Sequence, residues 1–251
     1  MYDGPTFGLV HGAWNRGSCW APLVAALKLR GLPCVVVDLP SDEPDAGVND
    51  YAEHVVRRWK HVTDPLVLVG HSLGGLTVPV VASRRPVVLL VYLCALLPDP
   101  GRSLSEQRAA TGPSMMTRLW REEYLPRQVK LADGRVEWPL ELAREIFFHD
   151  CSAAEISDAL AQMRPQGGVP MRERTPLAAW PAVPAEYILC AEDRVVSPAW
   201  SRQVAAERLG VHPRELGGGH CPMLAQPPLL ADELVAIARA HGLLVAASFQ
   251  D

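Results

Sequence analysis

A chain of 251 residues, 49% apolar and 21% charged, can bury a large core in one domain or two and has the composition of an ordinary globular domain. The net charge of −4, with basic residues scattered rather than run together, argues against a nucleic-acid partner. The longest apolar run, Val87 to Leu97, is too short to span a bilayer.

The first residues, Met-Tyr-Asp-Gly-Pro-Thr, carry no basic region followed by an apolar stretch, so no secretory signal is read there and no membrane association is expected. Six cysteines, at 19, 34, 94, 151, 190 and 221, lie far apart with no Cys-x-x-Cys and no paired histidine. Reduced thiols in a cytoplasmic protein without structural zinc are the expectation. Among the 24 basic residues only Lys28, Lys60 and Lys130 are lysines, a bias that points to a GC-rich, bacterial genome rather than to phosphate binding.

In chain order, apolar runs at Thr6–Val10, Pro33–Val37, Leu66–Val69, Val87–Cys94 and Glu186–Cys190 predict strands. They are continuously apolar rather than alternating, as parallel strands covered on both faces should be. A last short strand is expected near His212–Leu216. Between the strands, Trp20–Leu29, Tyr51–His61, Leu73–Ser83, Pro198–Leu209 and Leu229–Ala240 read as helices, with Pro79 expected to kink the third. This alternation predicts an α/β fold, a mostly parallel central sheet with helices on both faces.

The alternation fails between Pro98 and Pro184. That stretch is richer in charge and proline, and Ser114–Tyr124 and Leu140–Phe148, with a continuation through Ala153–Met163, look helical. The expected organisation is a core of residues 1–97 and 184–251, with 98–183 inserted as a helical cap over the C-terminal edge of the sheet, where ligands bind in such folds. A second, unrelated domain is the alternative.

Gly70-His71-Ser72-Leu73-Gly74 follows the Leu66–Val69 run and opens a helical pattern. A Gly-x-Ser-x-Gly turn between strand and helix is too tight for side chains at its glycines and lifts the serine hydroxyl clear of the sheet. Serine needs a base, and the base needs an orienting carboxylate. His220, in a loop after Gly217-Gly218-Gly219, is placed beyond the last strand where a base can reach Ser72. His149, His212 and His241 read more simply as surface or cap histidines.

The acid is expected just past a late strand, and Asp193 follows Glu186–Cys190. Its neighbour Glu192 and the earlier Asp99, after the Val87–Cys94 strand, are the alternatives. An oxyanion needs two backbone donors. Leu73, directly after the serine, offers one amide, and Ala13, in the loop His11-Gly12-Ala13-Trp14, offers the other, with Gly12 allowing close approach. His71 reads as scaffold. Trp14, Trp120, Phe147 and Phe148 are candidates for an aromatic pocket, although packing explains each more simply.

Together these motifs resemble one branch of the α/β-hydrolases, that of the plant methylesterases and hydroxynitrile lyases and their bacterial esterase relatives. The resemblance is carried by Leu9-Val10-His11-Gly12-Ala13-Trp14, Gly70-His71-Ser72-Leu73-Gly74-Gly75-Leu76, Val91-Tyr92-Leu93 leading to Leu97-Pro98-Asp99-Pro100-Gly101, Ala191-Glu192-Asp193 and Gly218-Gly219-His220. Through the cap it is limited to pieces such as Phe147-Phe148-His149-Asp150-Cys151 and Arg164-Pro165-Gln166. It implies a cofactor-free enzyme with a Ser72–Asp193–His220 triad, a small-molecule substrate and room for a homodimer. The plant lyases carry Thr after the oxyanion-loop His and Lys after the catalytic His, where this chain has Gly12 and Cys221, so the esterase pattern is preferred.

The expected function is hydrolysis of a small or medium carboxylic ester, a methyl ester being one candidate, through an acyl-enzyme. One rival uses the triad only as acid and base, as a lyase, dehydratase or cyclase of secondary metabolism. The other is a ligand receptor on a hydrolase fold.

Overall fold

The computed structural model describes residues 4–107 and 114–244, so the first three residues of the N-terminal reading lie outside the described residues. The strands are β1 (Thr6–Val10), β2 (Cys34–Val36), β3 (Leu66–His71), β4 (Leu89–Leu93), β5 (Val129–Lys130), β6 (Val136–Glu137), β7 (Ala185–Cys190) and β8 (Arg214–Leu216). Six of them form one parallel sheet in the order β2-β1-β3-β4-β7-β8. Every residue of β1, β3 and β4 is buried, which is why these strands read as unbroken apolar runs rather than alternating ones.

From β1 the chain moves outward to β2, then returns to lay β3 on the other side of β1. Loops leaving the C-terminal ends of β1 and β3 therefore diverge and open a crevice, the place where ligands bind in open α/β sheets.

The helices before the insertion are α1 (Ala21–Leu29), α2 (Val48–Arg58) and α3 (Thr77–Ala82). Then come α4 (Leu104–Gln107), α5 (Leu140–Phe147), α6 (Ala153–Gln162) and α7 (Val169–Arg172), followed by α8 (Pro198–Val204), α9 (Pro222–Ala225) and α10 (Pro227–Ala240). α1 packs with α10 and α2 with α3. In α2 the buried residues Val48, Tyr51, Ala52 and Val55 fall at i, i+3, i+4 and i+7, one apolar stripe on the sheet. The stretch 98–183 contributes no strand to the central sheet among the described residues. No helix there or elsewhere among them is long and apolar enough to cross a membrane.

Several elements depart from the sequence reading. α2 starts three residues early because two carboxylates satisfy its first amides: Asp50 accepts the Gly47 N–H at 2.8 Å and Glu173, distant in sequence, accepts that of Val48 at 2.5 Å. The expected helix Leu73–Ser83 is a 3-10 turn over Ser72–Leu76 followed by α3. Pro79 is then the third residue of a new helix, where its missing N–H costs little, and the expected kink is a change of helix type.

The segment Ser114–Tyr124 is helical only after Thr117, whose side-chain oxygen accepts the Trp120 N–H at 3.0 Å as a cap. Met116, just before it, bridges to Val196 instead. α5 and α6 are separate helices, because Ser152 and Glu155 build a capping box that starts the second afresh. The β5–β6 hairpin was not expected, although Asp133-Gly134, with Gly134 at φ +85°, is the turn signal that marks it.

Candidate active site

Ser72 sits at the end of β3 with φ +51°, a left-handed conformation that a side chain adopts only when its surroundings enforce it. The surroundings are specific. A Cβ on Gly70 would lie 2.9 Å from both methyls of Val78, and one on Gly74 would lie 2.7 Å from the His11 carbonyl. The Ser72 carbonyl accepts the Leu96 N–H at 3.0 Å. The turn is thus wedged between the β1 loop and α3, and only glycine fits on either side of the serine.

His220 follows β8 and Asp193 follows β7, and the sheet order brings both to the serine. The Ser72 hydroxyl lies 3.0 Å from His220 Nε2, and His220 Nδ1 lies 2.8 Å from Asp193 Oδ2. The other carboxylate oxygen, Oδ1, accepts the amides of Val195 at 2.7 Å and Val196 at 3.1 Å. With Asp193 accepting, the imidazole carries its proton on Nδ1 and leaves Nε2 free to receive one from Ser72. All three residues are buried.

The loop after β1 lies against this serine. A Cβ on Gly12 would come within 2.7 Å of Ser72 Cβ and 3.1 Å of the His71 carbonyl. His11 holds the loop: its Nε2 accepts the Leu39 N–H at 2.9 Å, so its Nδ1–H donates to the Gly12 carbonyl at 2.8 Å. Among the described residues the Ala13 and Leu73 amides have no acceptor. Trp14, at φ +61°, ends the loop and donates through Nε1 to the Val136 carbonyl at 3.0 Å.

His71 is buried beside His220, its ring centroid 4.8 Å from that of His220, and burial pushes its pKa well below the ordinary histidine value. It is therefore neutral, and its Nε2–H donates to the His220 carbonyl at 2.8 Å. The other histidines stand elsewhere. His149 faces the Glu192 carbonyl at 3.3 Å, His241 pairs with Glu186 at 2.8 Å and His212 is exposed. Of the alternative acids, Asp99 lies 3.6 Å from Arg102, and Glu192 accepts the Gly218 N–H at 3.4 Å.

Sequence reasoning missed the groups that lock the insertion to this site. Arg164, nearly buried, donates to Asp38 at 2.9 Å and to the Leu39 carbonyl at 2.5 Å, while its own N–H reaches the Trp14 carbonyl at 3.1 Å. Val136 and Gln166 exchange backbone hydrogen bonds at 2.8 and 2.9 Å. Nothing local in Arg164-Pro165-Gln166 signals a contact with the β1 loop.

Over the serine lies an apolar pocket of about 90 Å³. Leu96, Met115, Met116, Trp120 and Met171 line it, with Ala13, Trp14 and Leu73 at its floor and Gln128 as a polar side chain besides Ser72. Trp14 and Trp120 are thus pocket residues. Phe147 instead packs on Trp14 at 5.6 Å and on His220 at 6.1 Å between centroids, and Phe148 is core. Cys221, beside His220, is fully buried, and burial pushes its thiol well above the ordinary cysteine value. All six cysteines are unpaired, and no cluster of three or more His, Cys, Asp or Glu among the described residues is placed to hold a metal ion.

The chain is 28% identical over 247 residues to a pyrethroid hydrolase from Sphingobium wenxiniae, covering 92% of this chain and 87% of that one. It is 25% identical over 252 residues to methylesterase 2 of Arabidopsis thaliana, covering 92% and 95%. The crystal structure of a pyrethroid hydrolase from Sphingobium faniae superposes with a TM-score of 0.79 at 25% identity, over 94% of this chain and 98% of that one. The profile of the alpha/beta hydrolase family matches residues 9–233, and the chain belongs to that family.

Proposed function

We propose that this protein is a serine hydrolase that cleaves a neutral, small or medium carboxylic ester through an acyl-enzyme on Ser72. The observation that carries the reading is the unbroken hydrogen-bonded chain from Ser72 Oγ through His220 to Asp193, at 3.0 and 2.8 Å. Further support comes from the relatives, one named pyrethroid hydrolase and one named methylesterase.

His220 Nε2 takes the hydroxyl proton as Ser72 Oγ bonds to the ester carbonyl carbon. The carbonyl oxygen, now negative, receives the Ala13 and Leu73 amides, each worth about 3–4 kcal/mol in such sites. His220 then hands its proton to the departing alcohol. In the second half water gives a proton to His220 and attacks the acyl carbon, and the acid leaves as Ser72 recovers its hydrogen. Throughout, Asp193 keeps the imidazole in the Nδ1–H tautomer and stabilises the imidazolium that forms twice.

Residues 98–183 serve as a cap that shapes the acyl or alcohol side, since Met115, Met116, Trp120 and Met171 come from it. The unpaired cysteines support a cytoplasmic location. A lyase that must hold a departing anion needs a cation beside the base, and the neutral, buried Cys221 offers none.

The test is hydrolysis of p-nitrophenyl acetate and butyrate by the wild type and by Ser72→Ala, with mass spectrometry after fluorophosphonate treatment. Turnover abolished in the variant and a label on Ser72 are expected. Activity that survives in Ser72→Ala, or a protein that neither turns over nor labels, would overturn the reading.

A further inference from the structure

We propose that Asp150, with His149 beside it, is a positioning residue that straps the cap across the two loops carrying Asp193 and His220. This rests on the hydrolase reading above. The pair lies between α5 and α6, where sequence reasoning found no role for it beyond a possible surface histidine. Asp150 Oδ2 accepts the Gly219 N–H at 2.6 Å, and the His149 Nε2–H donates to the Glu192 carbonyl at 3.3 Å. Gly219 immediately precedes the base and Glu192 immediately precedes the acid. Each contact therefore grips the residue next to one member of the hydrogen-bonded chain.

The glycines before His220 have a reason in this arrangement. A Cβ on Gly219 would lie 2.6 Å from His149 Nε2 and 2.7 Å from Asp150 Oδ1, and one on Gly218, at φ +84°, would lie 2.7 Å from Asp150 Oδ2. The loop is bare so that the carboxylate can reach its backbone. A glycine run is also the most mobile backbone available, and by itself would hold a base poorly. A carboxylate accepting a backbone N–H makes a short, charge-assisted bond that removes this freedom. Gln226 Nε2 also holds this loop, donating to the Gly217 carbonyl at 2.5 Å.

Asp150 Oδ1 is buried and has no hydrogen-bond partner among the described residues. A half-buried carboxylate with one buried, idle oxygen is costly as packing, and such groups persist where position matters. The acid and base loops already share backbone bonds, Glu192 N–H to the Gly218 carbonyl at 3.0 Å and Ala191 N–H to that of Leu216 at 2.8 Å. Thr117 and Glu145 of the cap bond the backbone and side chain of Arg194 in the acid loop at 2.6 and 2.9 Å. The strap adds a restraint on the residue before the base, and it acts on the base without touching substrate.

The experiment compares wild type, Asp150→Ala and Asp150→Asn in p-nitrophenyl butyrate hydrolysis, in the rate of fluorophosphonate labelling, and in hydrogen exchange of the Gly219 amide. Asp150→Ala is expected to lower kcat and the labelling rate together by about 10- to 100-fold, the effect of a small misplacement of a catalytic group, while KM stays within about twofold. Asp150→Asn, whose carbonyl still accepts the amide, is expected to recover most of that loss. The Gly219 amide is expected to be protected in the wild type and to exchange freely in Asp150→Ala.

The proposal fails if Asp150→Ala keeps wild-type kcat, if KM alone rises, or if Asp150→Asn is as slow as Asp150→Ala. It also fails if the Gly219 amide is unprotected in the wild type, a measurement that stands even where Asp150→Ala does not fold. A wild type that neither turns over nor labels would instead sink the hydrolase reading, and the exchange data would still judge the strap.

Discussion

Gly12→Ala should disable the enzyme while leaving it folded. The added methyl would sit 2.7 Å from Ser72 Cβ and 3.1 Å from both the His71 carbonyl and His71 Nδ1. Carbon atoms out of bond settle at about 3.5–4.0 Å, so the β1 loop and the serine must separate by about 0.8 Å or more. Neither side yields freely, because the Gly12 carbonyl is held by His11 at 2.8 Å and the Ser72 carbonyl by Leu96 at 3.0 Å. Oxyanion donors work at about 2.7–3.1 Å, so a shift of this size takes the Ala13 amide out of range, and loss of one donor costs about 10²–10³ in kcat. Overpacking of this kind destabilises by about 1–3 kcal/mol. The assay is p-nitrophenyl butyrate turnover beside a thermal melt. A folded Gly12→Ala protein with kcat within threefold of wild type would refute the argument, since the loop would then have slack or Ala13 would not be a donor.

Asp193→Asn should cost about 10⁴ in kcat with little change in melting temperature, because the amide oxygen will face the Val195 and Val196 N–H groups. Its NH2 must then donate to His220 Nδ1, which moves the ring proton to Nε2, where it cannot accept from Ser72; retained activity would contradict this tautomer argument. Esters whose acyl chain ends in a carboxylate should show kcat/KM at least about 100-fold below an uncharged chain of equal length, since no charged side chain among the described residues lines the pocket and an unpaired charge is costly to bury. Equal turnover of the two would place the substrate elsewhere. Iodoacetamide at pH 8 should leave activity intact, because burial holds the Cys221 thiol protonated at that pH and out of reach; rapid inactivation lost in Cys221→Ser would show an opening of the base loop.

Local sequence was enough for the parts whose physics is local. The unbroken apolar runs at Leu66–Val69 and Val87–Cys94 read as buried parallel strands, and the chain forms them as β3 (Leu66–His71) and β4 (Leu89–Leu93). Gly70 and Gly74 mark a turn too tight for side chains, so Ser72 could be named from five residues. His220 and Asp193 followed from chain order within the resembling family and from their place after late strands.

What tertiary structure alone decided involves partners far apart in the chain. The carboxylate of Glu173 starts α2 near Val48, and Arg164 holds the β1 loop through Asp38 and Leu39. The pocket is assembled from Met115, Met116 and Met171, residues whose apolar character fits core and binding site equally. The expected helix over Ser114–Tyr124 starts only after Thr117 for the same reason, since Met116 pairs with Val196 across a gap no local pattern records. Gly218 and Gly219 read in sequence as a flexible loop, and only the approach of Asp150 from the cap gives their bareness a cause. Backbone propensity and burial period are written in neighbouring residues, whereas the distance between the Asp150 carboxylate and the loop before His220 is set by how segments distant in the chain pack against one another.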